Sequence, residues 1–164
     1  KNIKVWGRSD KSTEQYIQDM NQDGWNVHKV ESTCEIAESC DLIITATPSK
    51  IPLLKKESLK KGTHITALGS DSPGKQELEH DIFAKADLIV ADSKLQCLER
   101  GEIHHAIKHG IIEEGDVQEL GSLISANEPI YRDEDQITIA DLTGVAVQDI
   151  QIAKAVYEEC ERIN

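Results

Sequence analysis

The chain has 164 residues, 38% of them hydrophobic and 29% charged, with a formal net charge of −12 at pH 7. That length supports one ordinary domain with its own core. The acidity argues against nucleic acid or an anionic membrane as partner, and no apolar run approaches the roughly 20 residues of a membrane helix. The opening "KNIKVWGRSD" has no apolar segment and no small-residue cleavage site, so no signal peptide is expected. Cys34, Cys40, Cys97 and Cys160 form no CxxC pair. In an acidic chain they are expected to be reduced thiols of a cytoplasmic protein, with no metal site.

Short β-rich runs alternate with helical patterns. "IKVW" (3–6) reads as the first strand, and "STEQYIQDMNQDG" as a helix that presents Tyr16, Ile17 and Met20 and stops at Gly24. "VHKV" is a weak second strand and "TCEIAESC" a short helix. "LIITAT" (42–47) is a continuous apolar strand of the kind buried on both faces. "HITALG" and "DLIVAD" are further strands, with a polar helix start at "QELEHDIF" between them. Residues 94–109 read as one helix and "DVQELGSLISA" as another. "ANEPIYRDEDQ" is the one plausible seam, followed by a last strand, "QITIAD", and a long final helix. The stripe Val147, Ile150, Ala153, Ala155, Val156 marks the apolar side of that helix. The alternation predicts an α/β fold, a doubly wound parallel sheet.

In such sheets ligands bind beyond the carboxyl ends of the strands, so the residues after each strand are the candidates. After "IKVW" come Arg8 and Ser9. At the end of a second dinucleotide-fold strand an Arg suits a 2′-phosphate, which favours NADP over NAD. Ser9 also suits a helix cap, and Arg8 a solvated surface. After "LIITA" comes Thr47, whose hydroxyl can meet a ribose or phosphate, or simply belong to a turn. After "ITAL" comes "GSDSPGK", the sharpest local signal. There Asp71 can act as a general base or hold a cationic amine, and Lys75 can meet a phosphate or carboxylate. Gly69 and Gly74 let the backbone approach a ligand, although the stretch is also a plain turn before a helix. After "ITIAD" comes "LTGVAVQD", where Thr143 suits a helix cap or a cofactor edge. His105 and His109 are four apart, but no HExxH pattern or third ligand accompanies them, so no metal is assigned. A GxGxxG loop is absent, so either the fold is not dinucleotide-binding or the chain starts after that element.

Together, "VWGRS", "DLIITATPSKIPLLKKESLKKGTHITALGSDSPGKQEL", "ADLIVADS" and "ITIADLTGVAVQDIQIAKAVYE" resemble the ornithine cyclodeaminase/μ-crystallin family, in its order and over nearly the whole chain. "GEIHHAI" and "DLTGVAVQD" look closest to its ectoine-utilisation branch. The resemblance implies a Rossmann-like sheet truncated at its amino-terminal side, without the Gly-rich loop and the preceding substrate-binding and dimerisation half. Residues 1–136 would form a partial NAD(P)-binding domain, and 137–164 the closing strand and carboxyl-terminal helix. It further implies Asp71 as the catalytic group, with Arg8, Ser9, Thr47, Leu68, Lys75, Leu142, Thr143 and Gly144 near the cofactor, NAD or NADP. The implied reaction is internal hydride transfer, converting L-ornithine to L-proline and ammonia in a cytoplasmic homodimer. The alternatives are an NAD(P)H-dependent imine or ketimine reductase or amino-acid dehydrogenase of the same family, and a non-catalytic μ-crystallin-like binder.

Overall fold

Four-residue apolar runs, each stopped by Gly, Pro, Ser or Asp, build a parallel sheet. A computed structural model describes residues 2–126 and 131–163. The strands are β1 (Asn2–Val5), β2 (Asn26–Lys29), β3 (Leu42–Thr45), β4 (His64–Ala67), β5 (Leu88–Ala91), β6 (Val117–Glu119) and β7 (Thr138–Asp141). The helices are α1 (Asp10–Gln22), α2 (Thr33–Ser39), α3 (Lys94–Glu99), α4 (Glu102–Lys108), α5 (Leu120–Ser125) and α6 (Ala146–Ile163). β1 pairs with β2, and the other five strands lie in the order β3-β4-β7-β5-β6. Every pairing is parallel, as strands joined by helical crossovers require. The expected α/β sheet is therefore present, with its last strand at its centre.

β4, β7 and β5 are the inner strands, and Ile65, Ile139 and Ile89 are buried within them. Phe83, Leu78 and Ile82 beside the sheet and Ile103 and Ala106 of α4 complete the same core. Each buried Ile, Leu or Phe contributes about 1.5–3 kcal/mol of transfer free energy. The register sets Thr45, Ala67, Asp141, Ala91 and Glu119 side by side, so five strands finish level at their carboxyl ends. No helix among the described residues is long and apolar enough to cross a membrane.

Several local expectations are corrected. β3 is not buried on both faces: Leu42 and Ile44 are 58% and 60% exposed. It is an edge strand of the five and pairs only with β4. The helix expected over 94–109 is two helices, broken at Gly101, whose φ of 93° belongs to glycine. "DVQEL" is not helical at its start, because Val117–Glu119 hydrogen-bond to β5 as β6. No α-helix begins at "QELE": Leu78 forms a parallel bridge with Leu54, and only a 3-10 segment follows, His80–Lys85. Part of the seam, residues 127–130, lies outside the described residues. The stripe on α6 is on the surface, since no residue of that helix is buried.

Candidate active site

The level strand ends collect the polar segments. Beyond Thr45 and Ala67 the ladder continues for one rung, with the Leu68 N–H donating to the Thr45 carbonyl at 2.8 Å. The Leu142 N–H likewise donates to the Ala67 carbonyl at 2.9 Å. Thr47, Leu68, Asp71, Lys75, Leu142, Thr143 and Gly144 thus leave one edge of the five-stranded sheet. Arg8 and Ser9 leave the end of β1, in the two-stranded sheet. Ser9 is the N-cap of α1: its hydroxyl accepts from the Ser12 N–H, and its carbonyl accepts from the Thr13 hydroxyl at 2.9 Å. Arg8, one residue earlier, is exposed.

Asp71 sits on the turn after β4 with its side chain half-exposed. Lys75 Nζ and the Ser72 hydroxyl both donate to its Oδ1 at 2.6 Å. The Lys75 bond, then that of Ser72, holds the Asp71 carboxyl below its usual range, so it is an anion at neutral pH. Lys75 is therefore engaged with Asp71. The turn is anchored from behind, where the Lys75 carbonyl accepts from the Ser70 hydroxyl at 2.7 Å and from His105 Nε2 at 2.8 Å. Because the partner is a carbonyl, that ring nitrogen carries the proton. His109, four residues after His105, stacks on His80 with ring centroids 3.9 Å apart, and its Nδ1 donates to the His105 carbonyl at 2.8 Å.

Sequence reasoning missed four acids that hold this edge together. Asp92, just past β5, accepts from the Thr143 hydroxyl at 3.2 Å and from the Gly144 N–H at 2.8 Å. Asp141, the last residue of β7, accepts from the Ile103 N–H at 2.8 Å, at the start of α4. Glu102, the first residue of α4, accepts from the Glu77 and Leu78 N–H groups at 2.7 and 3.0 Å. Glu77 accepts from the Thr47 and Gly69 N–H groups at 2.6 and 2.9 Å. Glu77, Glu102 and Asp141 are all buried. The available signal was weak: Asp92 and Asp141 end apolar strands, where an acid has no packing role. Gly69 is small for an internal reason, because a Cβ there would lie 2.5 Å from the Glu77 carboxylate.

Burial pushes the Glu102 carboxyl up to about 8 and that of Asp141 up to about 7, against the bonds from backbone N–H groups that pull the other way. Their ordinary values are 4.5 and 3.8. Between those limits these two groups hold protons in the folded protein that the unfolded chain releases, so their contribution to stability falls as pH rises from about 4 to about 8 and then levels off. Urea unfolding across this range should show that decline, and Glu102→Gln should make it shallower. An unchanged slope in the variant would remove Glu102 from the linkage.

Comparison with known proteins agrees with this fold. The chain is 43% identical over 125 residues to alanine dehydrogenase of Archaeoglobus fulgidus, covering 76% of this chain and 38% of that one. The solved iminosuccinate reductase of Paracoccus denitrificans in complex with NAD+ superposes with a TM-score of 0.89 at 34% identity, over 99% of this chain and 49% of that one. The Δ1-pyrroline-2-carboxylate reductase of Thermococcus litoralis, in complex with NADH and L-proline, gives 0.89 at 27% identity, over 99% and 51%. The chain thus spans between 38% and 51% of each relative's length. The shared fold is the Rossmann-like α/β sheet expected from the sequence. Residues 1–164 match the model of the ornithine cyclodeaminase/mu-crystallin family throughout, and the chain belongs to that family.

Proposed function

We propose that this chain is the nucleotide-binding part of an NAD(P)-dependent enzyme that reduces or oxidises the carbon–nitrogen bond next to a carboxylate. The three similar proteins are named for alanine, iminosuccinate and pyrroline-2-carboxylate, which share that bond. The observation that carries the reading is Asp71, an ionised carboxylate at the carboxyl edge of the sheet, where this fold places ligands. Bound NAD would supply the hydride donor or acceptor. Asp71 would hold the positive charge of the substrate amine or iminium and exchange the proton on that nitrogen. Thr47, Leu68 and Leu142 to Gly144 would line the cofactor, and Lys75 would hold Asp71 until substrate replaces it. The half-buried His105–Lys75 anchor keeps this turn in place.

Cyclodeamination of L-ornithine is the second reading, carried by the "GSDSPGK" and "DLTGVAVQD" segments. It shares the first half-reaction and differs in the net result. The full-length protein, given NADH and either pyruvate with ammonia or a cyclic imino acid, should consume NADH stoichiometrically. Conversion of L-ornithine to proline with only catalytic NAD would establish cyclodeamination instead.

Arg8 tests the cofactor half. Arg8 directly precedes the N-cap Ser9 of α1, and a guanidinium at that strand end suits the 2′-phosphate of NADP, so NADPH should bind more tightly than NADH. Arg8→Ala should weaken NADPH by about tenfold, ~1.4 kcal/mol, and leave NADH unchanged. Fluorescence titration of both cofactors measures this, and equal losses for the two would refute the role of Arg8.

A further inference from the structure

We propose that Glu77 is a positioning residue that fixes Thr47 and Asp71 relative to each other, an inference that rests on the catalytic reading of Asp71. β3 and β4 are in register at Thr45 and Ala67, so Thr47 and Gly69 each lie two residues beyond a strand end and face each other. The ladder stops after the Leu68–Thr45 bond, and here the two chains must part. The buried Glu77 carboxylate replaces the missing rung, one oxygen on the Thr47 N–H at 2.6 Å and the other on the Gly69 N–H at 2.9 Å. Asp71 follows Gly69 by two residues. The bracket therefore sets the direction in which both site segments leave the sheet. Its own base is fixed: Glu102 holds the Glu77 and Leu78 N–H groups, and the Glu77 carbonyl accepts from Leu53 and Leu54 at 2.6 and 3.1 Å. Both carboxylate oxygens of Glu77 accept from backbone N–H groups, so its effect on the reaction passes through the loops it holds.

Glu77→Gln keeps the shape but offers one acceptor, and its NH2 faces the other N–H. The test is steady-state kinetics of the full-length E77Q protein, with thermal unfolding and the amide signals of 15N-labelled Thr47 and Asp71. The expected result is a kcat lowered roughly 10- to 100-fold per folded site. Substrate KM should change far less, and the Thr47 and Asp71 signals should both move. A merely structural role would lower the melting temperature and leave kcat per folded site unchanged, and that outcome overturns the proposal. Should E77Q fail to fold, Gly69→Ala opens the bracket from the other side. Its methyl would run into the Thr47 carbonyl oxygen and lie 2.5 Å from the Glu77 carboxylate. Wild-type kcat in G69A overturns the proposal equally. A wild-type enzyme that turns over none of the substrates above defeats the catalytic reading itself. The bracket is then still decided by whether the Asp71 signal moves with that of Thr47.

Discussion

Asp71→Asn should lower kcat at least about 1000-fold, roughly 4 kcal/mol of transition-state stabilisation, while leaving cofactor affinity nearly unchanged. The asparagine amide has the same shape but no charge to set against a substrate ammonium, and it does not accept a proton near neutral pH. The wild-type carboxylate is kept ionised by Lys75 and Ser72, so the substitution removes an anion. Stability should barely change, because the Asp71–Lys75 pair is partly exposed and such pairs contribute less than about 1 kcal/mol. The comparison is kcat at saturating substrate against the cofactor dissociation constant and the unfolding midpoint. Retained turnover would sink the assignment of Asp71. A collapse of cofactor binding instead would make Asp71 a binding group.

The largest effect on stability should come from Gly101→Ala. Gly101 links α3 to α4 with φ 93° and ψ −176°, a conformation that costs an L-residue about 1–3 kcal/mol. An added Cβ would also sit 2.5 Å from Asp141 Oδ2 and 2.8 Å from the Thr143 methyl. Relieving that clash pulls the Asp141 carboxylate off the Ile103 N–H. Strain and the lost buried bond together give about 3–5 kcal/mol. Gly24→Ala is the control: φ is 84° with open space around the new carbon, so the cost should be only about 1 kcal/mol. Urea unfolding of the two variants tests the difference, and equal losses would mean that the Asp141 contact carries nothing.

The fold was legible where local chemistry decides it. "HIT", "LIVA" and "TIAD" are short because they lie inside the sheet, and Ser9 caps a helix as its position in the sequence suggests. What stayed hidden depends on residues far apart in the chain. The break at Gly101 answers Asp141, forty residues later. The lack of an α-helix at "QELE" follows from the bridge to Leu54, since the Leu53 and Leu54 N–H groups take the Glu77 carbonyl that a helix would need. Asp71, Thr47 and Thr143 stood out because strand ends can be counted along the chain. Glu77 did not, because it reads as one more acid in a polar stretch, and only the sheet shows which N–H groups it meets.

α6 is about 27 Å long, 18 residues at 1.5 Å each, and none of them is buried. Its side chains pair mainly with one another, as in Tyr157–Glu161, Lys154–Glu158 and Glu159–Arg162. Such pairs add a few tenths of a kcal/mol each, close to the margin at which an isolated helix of this length survives in water. β4 and β7 are bonded on both sides and open only with the whole sheet. Within residues 1–164 the final helix is thus a separate unit of local unfolding: its amides can exchange with solvent many times over while the strand ends that carry Asp71 and Thr143 stay closed.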